Sequence, residues 1–368
     1  MSIWRIGSKW GDTDLRNVFK SHNIAFAGDV QDRIINEVEK GDLVAITHGQ
    51  PIIGYGYVEC ILPLTNITSD YSNEEFANVH VIKFSKTFWK VDNDKLLDNW
   101  GLYEGAGKQF HNVPYGNAYY VFINKQWNSL LLKEEYVNLF NTVSNRQNEI
   151  PDTNVSVFTH GKGKDYNNGL MICGRAVNGW HNVEKSQINQ PKYINEFLLG
   201  IDKDNLDWVI KLFNQPKVGE WNPRTSAFWK VAHKIASRVY NDNSYEVLNN
   251  IVWTNLYKIS KPESGNPTET MIQIQRESAF KILKLEIEIL QPKVLIMFTS
   301  SDWANSFIDF LKPYEKNNKD SSEFQFIEYV ARYKNTFIIV TQHPMTRPEE
   351  PHALEIINEI KRVQLFNL

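Results

Sequence analysis

Only two cysteines, Cys60 and Cys173, occur among the 368 residues, far apart in the chain. That excludes a disulfide framework and any four-cysteine zinc or iron-sulfur site, so neither metal nor other cofactor is expected. Long apolar runs are also missing: none approaches the roughly 20 residues needed to cross a bilayer. The opening residues MSIWRIGSKWGD alternate polar and apolar character and lack the apolar stretch of a secretory signal. The expectation is a cytoplasmic protein with no membrane partner. No surplus of positive charge is present either. Lys and Arg number 14 against 18 Asp and Glu through residue 150, and 26 against 25 beyond it. Any nucleic-acid contact must therefore use a local basic patch.

What the chain does contain is ordinary globular composition, 42% apolar and 23% charged, in a length that exceeds one hydrophobic core. Two domains are expected, 1–140 and 154–368, joined by a linker at 141–153 where NTVSNRQNEIPDTN turns polar and loses its periodicity. In the first half, IWRIG, LVAIT, IIGYGYV, VHVIKF and AYYVFI are rich in β-branched and aromatic residues and read as strands. DVQDRIINEVEKG carries Val30, Ile34, Ile35 and Val38 at helical spacing, with Asp29 as N-cap and Gly41 beyond its end. The unit reads as a small mixed β-barrel.

From Val155 onward, strands alternate with long amphipathic helices. GLMICG, NIVWTNLY, KVLIMF and NTFIIVTQ read as strands, and TSAFWKVAHKIASRVY, TMIQIQRESAFKILKLEIEILQ and PHALEIINEIKRVQLF as helices. This alternation predicts a parallel-sheet α/β/α sandwich with right-handed crossovers. Ligands of such sheets sit beyond the carboxyl ends of the strands, so chemistry is expected directly after GLMIC, NIVWT, KVLIMF and FIIVT.

Three landmarks occupy those places: Gly174-Arg175-Ala176-Val177-Asn178-Gly179-Trp180, then Trp253-Thr254-Asn255 leading into Lys258 and Gly265-Asn266-Pro267, and finally Gln342-His343-Pro344-Met345. In that order, with ILKLEIEILQPKVLIMF between the second and third, they resemble the uracil-DNA glycosylase superfamily over nearly all of the second half. The resemblance implies a DNA glycosylase that hydrolyses the N-glycosidic bond of a flipped base. It assigns catalysis to Asn178, which orients the water, and to His343, which stabilises the departing base. Base contacts fall to Gly174, Arg175, Trp180 and Asn255, and DNA contacts to Arg224, Lys258, Arg347 and the apolar wedge Met345.

These types suit the task. A carboxamide donates and accepts at once and can read a base edge. A histidine donor can hold charge that builds on the leaving base, and removing one such donor costs about 3 kcal/mol of barrier. Blander roles stand beside them: Asn255 as a loop cap, His343 as partner of a buried carbonyl. Some family members carry a carboxylate in the first loop, which here presents Arg175 and Asn178; Asp165 upstream is the alternative water-positioning group. Phe228, Trp229 and Tyr240 read as core, and His160, Lys162 and Lys164 as a solvated loop.

In the first half, GDLVAITHGQPIIGYGYVE after a helix is similar to the EVE and PUA-like group of small barrels. That resemblance implies a reader of modified bases or nucleic acid, with Trp10, Trp89, Trp100 and Tyr103 as aromatic pocket candidates. Reader and glycosylase together imply excision of a modified base from DNA, with glucosylated hydroxymethylcytosine of phage DNA as target and antiviral defence as role. The competing readings are a housekeeping repair enzyme for uracil or deaminated bases and a non-catalytic sensor of modified DNA or RNA. Oligomeric state is not legible.

Overall fold

A computed structural model describes residues 1–67, 76, 78–90, 110–176, 181–201, 206–217, 221–262, 265–318 and 324–366. Trp100, Tyr103, Asn178 and Trp180 lie outside the described residues. The chain divides into two compact units, Met1–Leu130 and Leu131–Leu368.

The first unit begins with β1 (Ile3–Gly7), the hairpin β2 (Lys9–Trp10) and β3 (Thr13–Asp14), α1 (Arg16–His22) and β4 (Ile24–Ala25). It continues through α2 (Gln31–Glu37), β5 (Leu43–Thr47), β6 (Ile52–Pro63), β7 (His80–Trp89) and β8 (Phe110–Val113). Val30, rather than Asp29, occupies the N-cap of α2. Six strands form one sheet in the order β4-β7-β6-β5-β1-β8, parallel only between β1 and β5. Irregularities near Val58 bend β6 against β7. Among the described residues β4 and β8 remain unjoined edges, so the expected mixed barrel takes the form of a curled, open half-barrel sheet. Its apolar face packs Ile6, Phe19, Phe26, Ile34, Val44 and Phe84 into a core. Gly56 is required there, since a Cβ on it would stand 2.4 Å from the Phe84 ring.

The AYYVFI segment is a correction. It opens α3 (Ala118–Asn145) instead of forming a strand. Local β propensity loses because the continuing sequence buries Ile123, Trp127 and Leu130 on one helical face. The second unit takes over within this helix, earlier than the expected linker. Tyr136, Leu139, Phe140 and Val143 are buried, the Tyr136 hydroxyl donates to the Phe158 carbonyl at 3.2 Å, and Phe140 packs on Phe197 at 5.0 Å. Much of 141–153 is thus anchored structure: it holds the end of α3, a 3-10 turn and buried Ile150.

The second unit continues with β9 (Asn154–Val157), β10 (Gly161–Lys162), β11 (Leu170–Gly174), β12 (His181–Glu184), α4 (Pro191–Gly200), α5 (Asp207–Asn214) and α6 (Ala227–Tyr240). After β13 (Ile251–Asn255) and β14 (Ile259–Ser260) come α7 (Glu269–Leu290), β15 (Val294–Phe298) and α8 (Ser301–Leu311). The chain ends with β16 (Glu315–Asn318), β17 (Ile327–Tyr333), β18 (Thr336–Thr341) and α9 (Glu349–Arg362). The main sheet runs β10-β13-β11-β15-β18-β17-β16, and a smaller one β12-β9-β14. Strands β13, β11, β15 and β18 pair in parallel; β10 joins β13 and β17 joins β18 antiparallel, and β16 pairs antiparallel with β17. The four strands expected to be parallel are so, and the antiparallel additions at both edges, which were not foreseen, make the sheet mixed.

Alternation along the strands sends Leu170, Ile172, Ile251, Trp253, Ile296 and Ile339 into one core with α5, α6 and α9. The opposite face meets α7, where the Thr254 hydroxyl reaches Glu286. Register aligns the strand ends: Gly174 faces Asn255, Cys173 faces Met297, and Phe298 faces Thr341. The loops after the four parallel strands consequently emerge side by side. Among the described residues, no helix is long and apolar enough to cross a membrane.

Candidate functional site

Asn255 ends β13 directly across from Gly174 and is 1% exposed. A Cβ on Gly174 would lie 2.4 Å from Asn255 Oδ1 and 3.4 Å from the Phe228 ring. Glycine at 174 is what lets the carboxamide lie against the neighbouring strand. Asn255 Nδ2 is buried and has no hydrogen-bond partner among the described residues. A polar group left so costs about 1–3 kcal/mol, and native structures leave few of them without a role. Phe228, at the start of α6, borders the same space. Sequence periodicity assigned it to the core, and it does touch the core, but its ring edge also reaches the Gly174 position.

The segment carrying Asn255 is held from beneath. Lys258 Nζ donates to the Asn255 carbonyl and to Thr254 Oγ1, each at 2.8 Å, and to both Glu286 oxygens at 2.9 and 2.8 Å. Lys258 and Glu286 are fully buried. Burial opposes ionisation of Glu286, but Lys258 and then His160 outweigh it and hold its carboxyl below the usual range. Gln275 of α7 adds a second clasp: Oε1 accepts from the Lys258 and Ile259 amides, and Nε2 donates to the Ile259 carbonyl. Lys258 is therefore no DNA contact. Its ammonium is consumed by a buried ion pair, and its role is to fix the backbone at Asn255. His160 is likewise no solvated loop residue; it is 3% exposed with Nδ1 3.6 Å from Glu286.

The first and second loops stay zipped beyond their strands, through Leu256 N to Gly174 O at 2.9 Å and Tyr257 N to Arg175 O at 3.0 Å. Arg175 then turns to the loop after β15. Its Nε donates to the Thr299 carbonyl at 2.8 Å, its Nη2 to Ser300 Oγ at 3.2 Å, and its guanidinium lies over Trp303. Ser300 Oγ also accepts from the His343 amide at 3.3 Å, and the Ser300 amide donates to Thr341 O at 2.9 Å. Ser300 thus joins the loops after β11, β15 and β18. It does so with φ 64° and ψ 157°, a conformation that a residue with a side chain adopts at a cost of about 1–3 kcal/mol. Sequence reasoning missed Ser300, although its place after KVLIMF was a usable signal.

His343 is half-buried. Its Nδ1 accepts from the Met345 amide at 3.2 Å, which places the ring proton on Nε2. Burial, then the Arg175 charge, push the imidazole down to about 4, so it is neutral at ordinary pH. The ring is a neutral Nε2–H donor. Next to it, Thr346 sits in the left-handed region at φ 65°, in a turn closed by Arg347 N to Pro344 O at 3.1 Å. Met345 on this turn is 64% exposed, and Arg347 is exposed.

The remaining expected residues are elsewhere. The Arg224 Nε is occupied by the Phe213 carbonyl at 2.7 Å, fastening the end of α5 while its outer face stays exposed. Asp165 cannot position a water at this site: its amide pairs with Asn249 O, ahead of β13 and so at the opposite end of the sheet. In the first unit, Trp10 packs against Phe26 and Phe76, and Trp89 lies against Gly54, both on the edge of the core. Among the described residues, the ring contacts of Trp10 are to Phe26 and Phe76 and not to Trp89. Trp100 and Tyr103, like Asn178 and Trp180, lie outside the described residues. Compared with protein-family models and with curated proteins, the chain matches none.

Proposed function

We propose that the second unit is a DNA glycosylase of the uracil-DNA glycosylase type, acting on a modified base that has been swung out of the helix. The observation that carries this reading is the buried Asn255 amide, without a partner among the described residues, at the end of a parallel strand and at the same end of the sheet from which the loop of His343 emerges, with β11 and β15 between. A base inside a duplex cannot be attacked at its glycosidic carbon, so such enzymes extrude it into a pocket at a cost of a few kcal/mol. There Asn255 Nδ2 gains the acceptor it lacks. The C1′–N bond breaks with its electron pair passing to the base, and a water oxygen bonds to C1′ while its proton ends on the base. His343 donates from Nε2 to the base carbonyl as negative charge gathers. Asn178, two residues after Ala176 in the sequence, orients the water in this scheme. Met345 fills the vacated stack and Arg347 meets a phosphate. The first unit would read the altered base, and hydroxymethylcytosine in its glucosylated form, carried by invading phage DNA, is the target that fits an antiviral role.

The test is incubation with duplexes containing uracil, hydroxymethylcytosine or glucosylated hydroxymethylcytosine, followed by assay of alkali-labile abasic sites. Excision is expected, slowed more than about tenfold by His343→Ala and by Asn255→Ala with DNA binding retained. Preference for uracil would favour the housekeeping reading. No scission of any substrate, with binding intact, would favour the sensor.

A further inference from the structure

A polar cavity of about 430 Å³ opens beside the Ser300 junction, lined by Ser301, Asn305, Lys316, Glu328 and Tyr329. Its volume falls within the range of about 300–1,000 Å³ typical of small-molecule sites. The cavity and the candidate base site share the Thr299–Ser301 turn: Ser300 Oγ accepts from Arg175, and the next amide, Ser301 N, donates to Glu328. Arg175 also lies within reach of the Glu328 charge. Tyr329 is 3% exposed, and its hydroxyl is buried with no hydrogen-bond partner among the described residues.

The lining selects its ligand. An apolar group would cover the half-buried Glu328 carboxylate, whose present partner is the Ser301 amide, and would leave the buried Tyr329 hydroxyl unpaired, which is costly. A phosphate or carboxylate would meet the Glu328 carboxylate, and Lys316, the one cation among the described lining residues, is already engaged by Asp309 at 3.4 Å and by the Tyr329 ring at 4.9 Å. A neutral polyhydroxyl group suits this lining, since each hydroxyl both donates and accepts, and it could supply the partner that the buried Tyr329 hydroxyl lacks among the described residues. Resting on the glycosylase reading above, we infer that this cavity is the subsite for a sugar carried by the excised base, reached from the base site past Arg175 and Ser300.

The test compares kcat/KM on duplexes with hydroxymethylcytosine and with its glucosylated form, for the wild type, Tyr329→Phe and Asn305→Ala. Tyr329→Phe keeps the ring and its packing, so it separates the hydroxyl from the fold. A site built to bond a hydroxyl discriminates strongly, and the preference for the glucosylated base is expected to fall by at least about tenfold. Excision of the unglucosylated base should stay within about twofold of wild type, because neither side chain touches the base site. A parallel loss on both substrates, or an unchanged preference, overturns the subsite. If the wild type cuts neither duplex, the glycosylase reading falls and methyl glucoside judges the cavity alone by NMR. Shifts at Tyr329 and Asn305 that Tyr329→Phe abolishes would sustain it, whereas no shifts, or shifts with inorganic phosphate instead, would overturn it.

Discussion

Between Arg175, Ser300 and His343, single atoms carry most of the local logic. Motif order singled out Asn255 and His343 because the first ends a recognisable strand and the second lies just beyond one. What the motif could not convey is protonation state, which depends on surroundings. Burial and Arg175 hold His343 near 4 against an ordinary 6.5, while burial, Arg347 and His343 do the same for His352, whose Nε2 meets Thr341 Oγ1 at 2.7 Å. An unfolded chain takes up protons on both rings below about 6.5, and the folded one does not until about 4. Their contribution to stability is therefore whole above pH 6.5 and declines as pH falls to about 4. Ring-proton NMR titration is expected to give midpoints near 4 for both residues. Midpoints near 6.5 would mean that the rings are solvated and that His343 is not the neutral donor described.

Among elements, α7 has the most consequence for the site although it contributes no residue to it. Its sequence reads as an ordinary amphipathic helix, yet Gln275 and Glu286 face inward and clasp the segment from Asn255 to Ile259. Breaking a buried ion pair by removing one partner costs about 3–5 kcal/mol, because the other charge is stranded. Lys258→Met alone should lower stability by that much in urea unfolding. The double change Lys258→Met with Glu286→Leu should recover most of it, since no charge then remains buried. A double variant as unstable as the single one would contradict the pairing. Strands β11, β13, β15 and β18 were legible because each is a short apolar run bounded by turn residues. The start of α3 was misread as a strand because propensity is a weaker signal than the helical face that buries Ile123 and Trp127.

For the molecule as a whole, the division between units falls inside α3 rather than in the polar stretch after it. Polarity alone suggested a linker, but the preceding turns bury Tyr136, Leu139, Phe140 and Val143 within the second unit. Each large apolar side chain removed from a core costs about 2–5 kcal/mol, and whole domains are stable by only about 5–15 kcal/mol. A fragment beginning at Ala118 is expected to unfold cooperatively on heating. One beginning at Pro151, in contrast, should lack a cooperative transition. Equal melting of the two fragments would place the boundary back in the polar segment.

By itself the sequence determined the four parallel strands β11, β13, β15 and β18, the helices α6, α7 and α9, and the strand ends at which chemistry is expected, because those depend on periodicity and turn residues that neighbours in the chain supply. Tertiary structure alone decided that Lys258 is a buried brace, that Asp165 lies at the opposite end of the sheet, that Ser300 joins three loops and that His343 is neutral. Each of those depends on groups distant in sequence but adjacent in space, as Lys258 depends on Glu286, and no local pattern encodes which charge or carbonyl will arrive.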